Sequence, residues 1–262
     1  MTKLLYNALS PYGRKVKLTI AVKGLGSQIE MVSIDTNPGT NVEINSANPL
    51  GKIPALVLDD KTPIFDSNVI CEYLDSLKPA PMLFPRSGPE RWKTLVLGSL
   101  ADGILDAALL LVYEKRFRPE EKWHAPWQQR QQAKIDRALD QLEKSPPAWS
   151  GSPDYGHLTL ACALGYLDFR HDGKWRAGHP KLVAWLDLYA KAGLSRWKLE
   201  GDTTTPGTAG LFAFSRNGTA FAWGAGAQVH FGAIGARLEY ENFNIAHTNG
   251  AQVISLDAML LF

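Results

Sequence analysis

Cysteine is scarce in this chain. Of 262 residues only Cys71 and Cys162 carry a thiol, each within an apolar, helix-spaced run. Two isolated thiols exclude a disulfide framework and read as buried and reduced. The six histidines show no HxxxH or similar ligand spacing, so no metal site is expected. Neither sign of charge dominates, with 28 Lys and Arg against 26 Asp and Glu. The basic residues are scattered rather than striped along one face, which excludes a nucleic-acid surface. No apolar run approaches the ~18 residues of a membrane-spanning helix. The first residues lack the charged, apolar and cleavage regions of a signal peptide, so a soluble, cytoplasmic chain is expected.

What is present falls into three textures. Residues 1–80 alternate short apolar runs with one helical pattern. "KLLYN" and "IEMVSI" read as strands, with "PYGRKVKLTIAVKGLG" between them as a helix ending in glycine, a βαβ unit. "PALVLDD" and "TPIF" form a hairpin, and "DSNVICEYLDSL" opens a helix. Residues 86–190 are helical in pattern. Trp92, Leu95, Ala101, Ile104, Leu105, Ala108 and Leu111 mark one long amphipathic helix. "QQRQQAKIDRALDQLEKS", "LTLACALGYLDF" and "HPKLVAWLDLYA" mark three more. From about residue 191 the period becomes two, lysine ends at Lys198 and proline at Pro206. "AFAWGAGAQVHF" and "IGARLEYE" alternate apolar and polar residues as one-sided strands do. A β-rich tail of antiparallel strands over 194–262 is the expectation.

The residues at the turns of the first region suggest chemistry. Ser10 before Pro11 is an ordinary helix start, a capping serine with proline in the first turn. A hydroxyl there can also donate to a bound anion, which the helix dipole favours. Pro54 after Gly51-Lys52-Ile53 reads as a strand-starting proline. Asp66-Ser67 reads as another cap, either residue serving. Asp102 and Asp106 lie four apart on one helix face and read as a solvated or interface-facing edge rather than an acid/base pair. Tyr113, Phe117 and Trp127 read as core aromatics or as the lining of an apolar pocket. Arg14 reads as a solvated helix residue.

"SPYGRKVKLTIAVKG", "ANPLGKIPALVLDD" and "IFDSNVICEYLDSL", followed by "LADGILDAAL", "RALDQLE" and "LACALGYLDFR", resemble the glutathione S-transferase family over residues 1–190. The likeness is to its small bacterial serine-type, YibF-like members. The resemblance implies an α/β thioredoxin-like domain over 1–80 and an all-α domain over 86–190. It implies glutathione as co-substrate, no metal, and a thiolate held by Ser10 for attack on a small hydrophobic electrophile. Ile53 and Pro54 are implied to present the Ile53 N–H and C=O to the peptide, across an Ile53–Pro54 bond expected to be cis, and Lys52 to reach a glutathione carboxylate as a point charge. Asp66 and Ser67 are implied to bind the zwitterionic γ-glutamyl head. A homodimer is implied as well. Alternatives are a non-catalytic glutathione-binding protein and a thiol–disulfide oxidoreductase. Position 10 is serine and position 13 glycine, so the second lacks its nucleophile. The family's helix-capping Asp is replaced by His157, which puts the stability of that helix in question.

"GLSRWKLEGDTT", "GAGAQVHFGAIGARLEYENF" and the final "LLF" ending at Phe262 resemble the end of an OmpA-like outer-membrane β-barrel, with a junction near 188–193. Roughly four strands of ~10 residues cannot close, because such barrels start at about eight. The tail is therefore expected to be an appended fragment, and membrane association is not expected.

Overall fold

Leu4 and Leu5 are completely buried, and the N-terminal half is built outward from the strand that carries them. The computed structural model describes residues 1–35, 42–148 and 152–187, and the backbone of 221–231, 234–244 and 251–260. β1 (Thr2–Tyr6) pairs parallel with β2 (Ile29–Ser33) and antiparallel with β3 (Ala55–Val57). β3 takes β4 (Pro63–Ile64) on its far edge, giving the order β2-β1-β3-β4. Parallel pairing of β1 with β2 requires a crossover. The helix α1 (Pro11–Val22) supplies it and stops at Gly24, whose φ of +58° glycine adopts freely. The short α2 (Val42–Ala47), absent from the sequence reading, precedes β3, and α3 (Ser67–Ser76) follows β4.

Beyond α3 the chain is helical: α4 (Gly88–Phe117), α5 (Ala125–Lys144), α6 (Tyr155–Arg170) and α7 (residues 180–187). Two glycines let α4 and α6 approach closely. A Cβ on Gly98 would lie 2.5 Å from Cε1 of Tyr155, and one on Gly156 would lie 2.8 Å from the Thr94 carbonyl oxygen. An 18-residue stretch of α4 is long and apolar enough to cross a membrane by length and composition, contrary to the sequence reading. Its Asp102 and Asp106 are bound by α1, as described below, and the helix packs against α5 and α6.

A buried lysine fastens the link between sheet and helices. The Lys23 ammonium donates to Asp75 Oδ1 at 2.8 Å and to the carbonyls of Lys78 and Pro81 at 2.6 and 2.7 Å. Asp75 in turn accepts the N–H groups of Leu83 and Phe84. Every ammonium proton thus has an oxygen partner, as a buried charge requires.

The start of α6 corrects the expectation for His157. Asp154, three residues earlier, is the cap: its Oδ1 accepts the His157 N–H at 2.9 Å, and its Oδ2 accepts from Thr94 Oγ1 at 2.5 Å. His157 adds to the cap instead of weakening it. Its Nδ1 meets Asp154 Oδ1 at 2.6 Å and its Nε2 meets the Ala148 carbonyl at 3.1 Å.

The chain divides into compact units between Leu186 and Asp187. In the second unit β5 (Phe221–Phe231), β6 (Ile234–Asn244) and β7 (Ala251–Leu260) form an antiparallel sheet in the order β5-β6-β7. The junction expected at 188–193 and the terminal Phe262 lie outside the described residues.

Candidate glutathione site

Three motifs leave the sheet at one end. Leu5 opposes Ala55 at the last rung of β1 against β3, so the end of β1 lies level with Pro54. β4 runs back along β3 with Ile64 opposite Leu56, which carries Asp66 to the same end. Ile53 and Phe65, the residues before Pro54 and Asp66, pack against the cluster of Leu5, Ile34, Ile44, Ala47 and Ala55. Both loops are anchored by that packing, and the loop to Ser10 joins them at one rim.

Ser10 caps α1. Its backbone is extended, and its Oγ accepts the Gly13 N–H at 3.2 Å. Asn7 shapes the approach: its carbonyl takes the Ser10 N–H at 3.0 Å and its Oδ1 takes the Leu9 N–H at 2.9 Å. Accepting from Gly13 uses a lone pair of the hydroxyl and leaves its proton available to a ligand. Capping and donation are therefore compatible in one group. The first turn of α1 has no acidic residue, so nothing there offsets the positive end of its dipole.

Asp66 caps α3 and accepts the Asn68 N–H at 3.0 Å. Asp66 is exposed and Ser67 is buried. Ahead of Pro54, the buried Asn48 shapes the loop, donating to the Lys52 carbonyl at 2.8 Å and accepting the Leu50 N–H at 3.0 Å. Gly51 has φ +61°, a left-handed conformation that favours glycine, and a Cβ there would stand 2.9 Å from Asn45 Oδ1. The Ile53–Pro54 bond is cis, as expected, and Phe65–Asp66 and Ala80–Pro81 are cis too. Among the described residues, neither the N–H nor the C=O of Ile53 takes a backbone hydrogen bond. The Lys52 side chain and Arg14 are exposed.

Asp102 and Asp106 face α1 across the domain interface. Tyr12 donates its hydroxyl to Asp106, and the buried Lys15 donates to both oxygens of Asp102, at 2.8 and 3.1 Å. Burial raises the Tyr12 hydroxyl pKa, and the Asp106 carboxylate adds to the rise. Tyr113 and Phe117 stack edge to face with centroids 5.0 Å apart, both exposed on α4, while Trp127 is half-buried in the first turn of α5. Burial pushes the Tyr166 hydroxyl on α6 up to about 12. It pushes the thiols of Cys71 and Cys162 up to about 11 and about 12. Sequence reasoning missed Tyr12, Lys15, Asn48 and Asn68. The Asx turn at Asn48-Pro49 was a usable signal for one of them.

Residues 9–77 match the family model of the glutathione S-transferase N-terminal domain, and residues 125–188 match that of the C-terminal domain. The "uncharacterized GST-like protein YibF" of Escherichia coli (strain K12) is 32% identical over 200 residues, spanning 74% of this chain and 96% of that protein. A crystal structure of a glutathione transferase family member from Pseudomonas fluorescens Pf-5 with bound glutathione aligns with a TM-score of 0.71 at 40% identity. The alignment spans 74% of this chain and 98% of that one. A glutathione S-transferase from Methylobacillus flagellatus KT with glutathione bound aligns with a TM-score of 0.68 at 32% identity, over 74% and 98% of the two chains.

Proposed function

This chain belongs to the glutathione S-transferase family, and from that premise we propose that it conjugates the thiolate of glutathione to small hydrophobic electrophiles. One observation carries the reading: the helix starts at Ser10 and Asp66 and the open backbone of Ile53 meet at one end of the sheet. Ser10 donates to the thiolate and lowers the pKa of the bound thiol, since the thiolate is the nucleophile. The Ile53 N–H and C=O pair with the peptide as an added strand does. Asp66 takes the α-ammonium of the γ-glutamyl group, and Ser67 with the α3 N-terminus takes its carboxylate. Lys52 reaches the second carboxylate of the peptide as a point charge. Tyr113 and Phe117 line the electrophile side. Structural relatives that hold glutathione support this assignment.

The same reading makes the protein a cytoplasmic homodimer. Trp92 and Val96 are 65% and 67% exposed, beside a groove of about 450 Å³ between α4 and α5 lined by Val96, Leu100, Ile104 and Ala138. A partner covering this apolar face removes it from water. Residues 194–262 are taken as an appended segment related to the closing strands of an OmpA-like barrel. Support for that comes from the sequence alternation and from the antiparallel order of β5, β6 and β7.

The test is glutathione conjugation to 1-chloro-2,4-dinitrobenzene, with glutathione binding followed by calorimetry. Ser10→Ala should bind glutathione yet lose turnover by on the order of 100-fold, the scale of removing one donor from a developing or bound anion. Unchanged turnover in Ser10→Ala reduces Ser10 to a cap.

A further inference from the structure

Lys15 sits one turn past the Ser10 cap and is completely buried. Its ammonium donates to Asn68 Oδ1 at 2.6 Å, to Asp102 Oδ1 at 2.8 Å and to the Tyr155 hydroxyl at 3.0 Å. Those partners come from α3, α4 and α6. The Tyr155 hydroxyl also donates to Asn68 Oδ1, and Phe84 stacks on the Tyr155 ring at 4.4 Å. Asn68 is thus gripped from the interior by two donors while its own N–H holds Asp66 Oδ1 at 3.0 Å.

Burying a paired charge brings little stability over apolar residues of similar volume. Location suggests another role for this one. Lys15 is the side chain through which α1, headed by Ser10, grips Asn68 at the head of α3, beside Asp66 and Ser67. We propose that Lys15, acting through Asn68, is a positioning residue for glutathione. It sets the separation between the thiol end of the site at Ser10 and the γ-glutamyl end at Asp66–Ser67, so that one peptide meets both. Asp102 and Tyr155 orient the ammonium from the helical half, which couples the packing of α4 and α6 to the spacing of the site. This inference rests on the glutathione reading above.

Two variants of the full chain test it, read by glutathione titration, steady-state kinetics and thermal melting. Asn68→Ala removes the link to α3 and leaves the Lys15–Asp102 pair intact. Lys15→Met with Asp102→Leu removes both charges together, so that neither is left buried and unpaired. Each should weaken glutathione binding about tenfold, the scale of a lost hydrogen bond to a charged group. The KM for glutathione should rise in step while kcat stays within about threefold, the signature of lost ground-state binding. The double variant should do so while melting no lower than the parent, a separation that a purely structural role does not produce. Parental affinity for glutathione in either variant overturns the proposal. Should the double variant fail to fold, Asn68→Ala decides alone. A parent chain that binds no glutathione overturns the functional reading and this inference together; a parent that binds, with variants that bind equally, overturns this inference only.

Discussion

At Ser10 a single hydroxyl caps the helix and keeps its proton for the proposed thiolate, because accepting from Gly13 uses only a lone pair. Removing the hydroxyl also removes a cap worth about 1 kcal/mol, so a modest drop in melting temperature accompanies Ser10→Ala and does not by itself explain a large loss of turnover. The two thiols make a contrasting residue-scale case. Cys71 and Cys162 are buried, and burial holds their pKa values at about 11 and about 12. Neither is expected to react with a thiol-directed disulfide reagent at pH 7–8 while the chain is folded, and both should react in denaturant. Rapid labelling of the native chain contradicts this. Sequence made Ser10, Pro54 and Asp66–Ser67 legible because turn and cap residues announce themselves locally. Lys15 was not legible: its Asp102 partner is 87 positions away and its Tyr155 partner 140. Within "GRKVKL" it looks like any other solvated lysine.

Among the elements, helix starts do most of the positioning. α1, α3 and α6 begin with Ser10, Asp66 and Asp154 as caps. The strands of the βαβ unit and hairpin and the longer helices could be read from periods of two and 3.6 residues, whereas the order β2-β1-β3-β4 rests on pairings between distant segments. α2, at six residues, is too short to show a period. The α6 cap departs from the sequence expectation because Asp154, three residues before His157, is the N-cap and His157 completes the capping box with it. That cap links stability to pH. Burial alone would lower the His157 pKa, but the hydrogen bond and charge of Asp154 raise it overall. Burial alone would raise the Asp154 pKa, but His157 and Thr94 lower it. The histidine's contribution is therefore complete below its unfolded pKa near ~6.5 and is lost as pH rises through the higher folded value. The aspartate's contribution is present above its unfolded value and is lost as pH falls through the lower folded one. Between about pH 4 and 6.5 the pair stabilises α6 fully. His171, whose pKa burial lowers, works in the opposite sense and is common to both chains compared. The expected result is that His157→Gln loses more melting temperature relative to the parent at pH 6 than at pH 9. An equal loss at both values contradicts the linkage.

On the scale of the whole molecule, the sequence-drawn boundary near residue 191 and the division between Leu186 and Asp187 separate a transferase-like body from a strand-rich segment. The sheet β5-β6-β7 ends in two outer strands that have no further partner among the described residues, and open edges invite association. Deleting residues 194–262 should give a more monodisperse protein whose mass in solution is twice that of the shortened chain. Greater aggregation of the shortened chain means that the segment is integrated into the fold. The rim at which Ser10, Ile53 and Asp66 meet is the proposed seat of glutathione, and calorimetric titration of the full chain with glutathione probes it. Saturable binding at one site per chain is expected, kept in Ser10→Ala while turnover is lost. A cooperatively folded chain that shows no saturable binding of glutathione contradicts it.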